Sequence, residues 1–187
     1  MITRLKPNVT RAQAVALFNS RLREARRGRL CAVVELHVPF RLCEIEVVNG
    51  GRTNQLFLAV DAVTGRLDPY ELTEPPQEER TAFDSRRIVA ARMDEAAAVR
   101  IAEEKARRAI YLKGFFRVKN LSVRGRYLAD LHVPYWVGVY RRGDAVSLEV
   151  IDAVRNRFEG TKLREMAAAW FAESATDASR HASQRTT

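Results

Sequence analysis

The chain has 187 residues, 47% hydrophobic and 29% charged, with a formal net charge of +9. That is ordinary globular usage, which excludes a globally disordered chain. No run approaches the ~20 apolar residues of a membrane-spanning helix. Met1 to Pro7 leads into polar sequence instead of an apolar signal region, so the expected location is cytoplasmic, with no membrane span.

The first predicted element is a helix from about Thr10 to Arg27. Thr10 and Gln13 have capping-box spacing, Val15, Phe18, Leu22 and Ala25 form an apolar stripe, and Gly28 suits the position beyond the helix end. An extended stretch follows from about Leu30 to Val48. Asn49-Gly50-Gly51 is a hairpin turn, and Gln55 to Val60 is the returning strand, closed by a turn over Asp61 to Arg66. Glu71 to Arg80, with Pro75-Pro76 at its centre, reads as a stiff linker. Asp94 caps a second helix that turns Ala98, Ile101, Ala102 and Ala109 inward, with Gly114 beyond its end. Phe115 to Val123 reads as an extra strand. Tyr127 to Tyr140, a turn at Arg142-Gly143-Asp144, and Val146 to Ile151 form a second hairpin. A last helix, about Thr161 to Glu173, places Leu163, Met166, Ala167 and Trp170 on one face. The polar stretch after Ser174 is expected to be disordered.

Two parts of this order resemble one another. Glu35-Leu36-His37-Val38-Pro39-Phe40 returns as Asp130-Leu131-His132-Val133-Pro134-Tyr135, and Val60-Asp61-Ala62-Val63 returns as Ile151-Asp152-Ala153-Val154. Self-similarity of this kind predicts an internal repeat. The expected fold is α+β: two tandem helix-plus-antiparallel-sheet repeats with a C-terminal helix, each sheet covered on one face by its own helix. The expected division is a first repeat over 1–70, a linker over 71–92, a second repeat with the C-terminal helix over 93–173, and a tail over 174–187. Asp61 and Asp152 are expected to fix their turns by bonding backbone amides two residues on.

The layout, with the closing turn Val60-Asp61-Ala62-Val63-Thr64-Gly65, resembles the PepSY domain. The helix opening Asp94-Glu95-Ala96-Ala97-Ala98-Val99 is similar to the one with which that family's repeats begin. Arg155-Asn156 stands where the closing turn would have Thr-Gly. PepSY-like domains occur in protease propeptides and in secreted or membrane-anchored proteins, where they bind or restrain peptidases. The resemblance implies a tandem α+β scaffold that recognises a peptide or protein.

Little in the chain points to catalysis. His37 and His132 each precede Val-Pro on a strand, where a ring nitrogen could satisfy a backbone group that the proline leaves unpaired. No nucleophile motif, phosphate-binding loop or metal spacing accompanies them. Cys31, His37 and Cys43 share strand parity, but neighbours six apart lie ~20 Å from each other, so no metal is expected. No cofactor is expected either. Should the two similar parts pack about a twofold axis, His37, Phe40, His132, Tyr135 and Trp136 would form a ligand seam, with the two His-Val-Pro segments in one sheet or in facing sheets. The leading expectation is a non-catalytic protein- or peptide-binding scaffold, using an exposed strand edge.

The alternative partner is nucleic acid. Residues 1–30 carry eight basic side chains against Glu24, and residues 114–142 carry six against Asp130. Arg21, Arg23, Arg26, Arg27, Arg117, Lys119, Arg124 and Arg126 would supply the cationic surface. Trp136 and Tyr140 would stack on bases if exposed, or pack under the C-terminal helix if not. A GC-rich genome would also produce this arginine bias without any ligand.

Overall fold

A computed structural model describes residues 3–76, 87–113 and 118–184, with side chains described as far as 174 and not at 113. In chain order the elements are β1 (Thr3–Arg4), α1 (Arg11–Phe18), α2 (Arg21–Arg27), β2 (Arg29–Asn49), β3 (Arg52–Asp61), β4 (Tyr70–Leu72), α3 (Glu95–Lys113), β5 (Ser122–Arg142), β6 (Ala145–Asp152), β7 (Arg157–Phe158) and α4 (Thr161–Gln184). The strands form one seven-stranded sheet in the order β4-β3-β2-β5-β6-β7, with β1 added parallel to β5. No helix among the described residues is long and apolar enough to cross a membrane.

The expected pair of separable tandem repeats is therefore wrong. One continuous sheet joins both hairpins, because β2 and β5 are neighbours within it. Compactness does not follow chain order either. One unit takes Met1–Leu5, Val38–Ala82 and Ala90–Val133; the other takes Lys6–His37, Phe83–Val89 and Pro134–Thr187. Both long strands pass from one unit to the other inside His-Val-Pro, after His37 in β2 and after Val133 in β5. The internal repeat, and with it the tandem layout on which the resemblance to PepSY domains rests, is not the architecture of this chain.

In the first unit β2 and β3 form a two-residue hairpin, Asn49 facing Arg52, around Gly50 and Gly51 at φ 58° and 78°. Positive φ at both turn residues gives the twist that matches the flanking strands. Cys43, Ile45 and Val47 alternate onto one face of β2 and pack with Leu58, Val60 and Val123 against Ala98, Ala102 and Ala106 of α3. The four-residue spacing of those alanines makes a narrow, smooth stripe that lets the helix sit close. Asp94 caps α3, its Oδ1 accepting from Ala97 N at 2.7 Å. Ala109, expected inward, is exposed.

In the second unit the predicted first helix breaks in two. Asn19 ends α1, its backbone N–H still closing on Val15 O, and Ser20 turns extended at φ −70° and ψ 139° before α2 starts. The apolar stripe therefore stops at the break: Phe18 is buried but Leu22 is 75% exposed. The expected capping box is present, with Thr10 N donating to Gln13 Oε1 at 2.8 Å and Gln13 N to Thr10 Oγ1 at 3.3 Å. Val9, Ala14 and Phe18 pack on Trp136, Tyr140, Ile151 and Ala153. The Phe18 ring lies on Gly138, where a Cβ would come within 2.8 Å of it. Helix α4 lies against β6 and buries Leu163, Met166 and Ala167. It runs on to Gln184, through residues expected to be disordered.

Each helix thus covers the other's hairpin. Helix α1 precedes the β2–β3 hairpin but packs on β5 and β6, whereas α3 precedes β5–β6 but packs on β2 and β3. Of the strand expected over Phe115–Val123, residues 115–117 lie outside the described residues, as does Gly114, and Ser122 and Val123 belong to β5, which begins at Ser122 and continues unbroken.

Candidate functional site

The His-Val-Pro segments have a backbone role that turns on the prolines. Pro39 O accepts from Ala62 N at 2.8 Å, but Pro39 has no N–H to return. Ala62 O is left to accept from Arg92 N and Met93 N at 2.8 and 2.9 Å, which docks the chain leading into α3. The second unit uses the same device. Pro134 O accepts from Ala153 N at 3.1 Å, and Ala153 O takes Asn8 N at 2.7 Å and Val9 N at 3.0 Å, just ahead of α1. The carbonyl that each proline leaves unpaired is satisfied by a helix lead-in, not by a histidine ring.

The turn aspartates anchor the same corners. Fully buried Asp61 accepts from Val63 N (3.2 Å), Thr64 N (2.6 Å) and Leu67 N (2.8 Å). Asp152, equally buried, accepts from Val154 N (2.9 Å) and Arg155 N (2.8 Å). Thr64 Oγ1 also approaches Asp61 Oδ1 at 3.2 Å.

Of the five seam residues, His37, Phe40, Tyr135 and Trp136 are buried. His37 lies 3.7 Å from Glu35, and its carbonyl accepts from Val89 N at 2.9 Å. Phe40 meets Tyr70 edge to face at 5.3 Å. Trp136 Nε1 donates to Val9 O at 2.8 Å, and Tyr135 is buried. His132 is half-buried, and its carbonyl accepts from Leu5 N at 3.1 Å. The His-Val-Pro segments lie on neighbouring strands of the same sheet.

The basic residues are not uniformly available. Arg23 and Arg27 both pair with Glu149, and the Arg23 guanidinium sits 3.4 Å over the Phe158 ring. Arg126 pairs with Glu44. Arg21, Arg26, Lys119 and Arg124 are exposed, and Arg117 lies outside the described residues. Tyr140, proposed as a stacking platform, is fully buried under α1 instead of under α4, donating to Phe18 O at 2.8 Å. Burial pushes its hydroxyl up to about 12.

A polar cluster that sequence reasoning missed joins Arg41, Asp130 and Tyr127. Arg41 pairs with Asp130, Tyr127 Oη donates to Asp130 Oδ1 at 3.0 Å, and Arg41 Nη2 donates to Met93 O at 3.3 Å. The hydrogen bond to Asp130 raises Arg41, and burial raises Tyr127. Neither group is poised for proton transfer near neutral pH, so the cluster acts as a tie between β2, β5 and the lead-in to α3. No group of three or more potential metal ligands occurs among the described residues.

The other site missed from sequence is a groove of about 550 Å³ in the first unit, whose lining includes Leu56, Leu58, Leu72, Ala106 and Ile110 together with the charged Glu71 and Lys105. Its strand wall is incomplete. Because Asn49 faces Arg52 across a tight turn, odd-numbered residues of β3 direct their N–H and C=O away from β2. Phe57 and Ala59 face Leu72 and Tyr70 of β4. Beyond Leu72 the chain meets Pro75-Pro76 and the pairing ends, so Thr53 and Gln55 have no strand partner on this edge among the described residues. The sequence signal was the short Tyr70-Glu71-Leu72 strand cut off by the two prolines. Comparison of the chain with known protein families, curated proteins and solved structures finds no match in any of the three.

Proposed function

We propose that this protein is a non-catalytic binding module that takes an extended peptide segment of a partner protein along the open edge of β3. The supporting observation is that the unpaired edge at Thr53 and Gln55 borders the apolar groove between β3, β4 and α3. A peptide continuing the line of β4 would bond the outward amides and carbonyls of β3 and lay alternate side chains into the groove. Backbone pairing would supply affinity and the groove a preference for apolar side chains at every second position.

Nucleic-acid binding is the weaker reading. Burial of Trp136 and Tyr140 removes the stacking platforms, and Glu149 and Glu44 already partner three of the arginines.

The test is selection of peptides from a random display library on the full chain, followed by amide chemical-shift mapping. Recovered peptides should alternate apolar residues and shift Thr53 to Leu58 and Ala106 to Ile110. Gln55→Pro deletes one outward N–H at an edge position that tolerates proline, and should weaken binding up to about tenfold, the loss of one hydrogen bond. Peptides that shift neither segment, or that bind Gln55→Pro unchanged, would overturn this assignment.

A further inference from the structure

A second edge without a strand partner among the described residues lies in the other unit, at the start of β2. The pairing of β3 with β2 stops at Phe40. Odd-numbered residues of β2 face that side, as Pro39 O and His37 O show by accepting from Ala62 N and Val89 N. Ile88 adds a single parallel bridge at His37. Below it, Cys31 and Val33 direct their amides and carbonyls outward, with no strand partner on that side among the described residues. Cys31 and Ala32 are exposed.

The sequence along this edge is Arg29-Leu30-Cys31-Ala32-Val33-Val34-Glu35. Five consecutive uncharged residues without proline form an edge that natural sheets normally interrupt with a charge. The run is instead bracketed by charges of opposite sign, equally spaced about Ala32.

The geometry points to self-association: two copies of this chain pair antiparallel along β2 about a twofold axis at Ala32. In that register Cys31 of each copy faces Val33 of the other, as outward-facing residues must in a hydrogen-bonded pair. Leu30 faces Val34, and Ala32 faces its own counterpart in a close, non-hydrogen-bonded pair. Arg29 then falls opposite Glu35 at both ends, so one register satisfies the backbone parity, the apolar run and both charges together. A shift of two residues either way breaks both Arg–Glu pairs. The open edge of β6, at Val146 and Leu148, has no such complement, its charges being Asp144 and Glu149.

The experiment is sedimentation equilibrium of the full chain, paired with Ala32→Cys in a Cys31→Ser background. Wild type should show a concentration-dependent monomer–dimer equilibrium. The Ala32→Cys chain should form a disulfide-linked dimer on mild oxidation, because a non-hydrogen-bonded pair brings Cα atoms to ~4.5 Å, within disulfide reach. Arg29→Glu should weaken dimerisation about tenfold, and Arg29→Glu with Glu35→Arg should restore it. Because Glu35 also lies near His37 and Arg87, the exposed Ala32→Cys variant is the decisive one if the double variant does not fold. A chain that stays monomeric at its highest attainable concentration would overturn the inference. So would a dimer that Ala32→Cys fails to crosslink, which would place self-association at another surface.

Discussion

Pro39 and Pro134 act through the N–H they lack, and Asp61 and Asp152 through the N–H groups they collect. Each corner of the sheet is therefore a small, closed hydrogen-bond system in which deleting one acceptor orphans several buried donors. Asp61→Ala and Asp152→Ala should each cost about 2–3 kcal/mol. Urea unfolding of both variants measures the losses, and a loss under ~1 kcal/mol would mean that the turn holds without its carboxylate. A second prediction concerns pH. Burial pushes the Cys43 thiol up to about 11 from an ordinary value of 9, and Tyr140 up to about 12 from 10. Both groups fold in their protonated form and ionise more readily when unfolded. Their contribution to stability is thus complete below about pH 9 and is lost as pH rises through 11 and then 12. Urea midpoints should begin to fall above pH 9, and Cys43→Ala should delay the fall to above pH 10. An unchanged onset in that variant would show that Cys43 does not govern it.

At the scale of elements, α1 and α2 are held by different forces. Helix α1 has a capping box and buries Ala14 and Phe18, with Phe18 seated where β5 carries only a glycine. Gly138→Ala should cost ~1–3 kcal/mol by overpacking. Adding Phe18→Leu should recover part of that loss, a non-additivity that a double-mutant cycle measures. Helix α2 buries no residue. It is tied down by Arg23 and Arg27 on Glu149, by Arg23 over Phe158, and by Arg142 donating to Ala25 O. Glu149→Gln should therefore speed hydrogen exchange in α2 while leaving α1 protected, with a global loss of no more than ~1 kcal/mol because such ion pairs are partly solvated. Equal acceleration in both helices would mean that they unfold together.

For the whole molecule, the exchange of helices between hairpins has a direct consequence. The apolar face of β2 and β3 is covered by Ala98, Ala102 and Ala106, which lie far along the chain. A fragment of residues 1–76 holds that hairpin with α1, whose own packing surface is on β5 and β6. The fragment should lack cooperative thermal unfolding and show collapsed amide dispersion. A sharply folded spectrum would mean that α1 can cover its neighbouring hairpin after all.

Local features were legible in the sequence because short-range chemistry decides them. The Thr10 capping box, the Asn49-Gly50-Gly51 turn, the Asp94 cap, the two hairpins and the aspartate turns each depend on residues within a few positions. Asn19-Ser20 was visible as well, yet the helical period on both sides masked the break it makes. Which helix covers which hairpin was not legible. Alanine and phenylalanine stripes state that a face is apolar without naming the surface that receives it, and self-similar hairpins offered two nearly equivalent receivers. The groove escaped for the same reason, since Leu56, Leu72 and Ile110 are neighbours only after β4 and α3 meet β3. The sequence by itself determined the elements, their caps and their turns through contacts local in the chain. Only the tertiary structure decided the single sheet, the exchanged helices and the open edges, because strand partners and helix seats are chosen among residues distant in sequence by burial of the whole apolar surface.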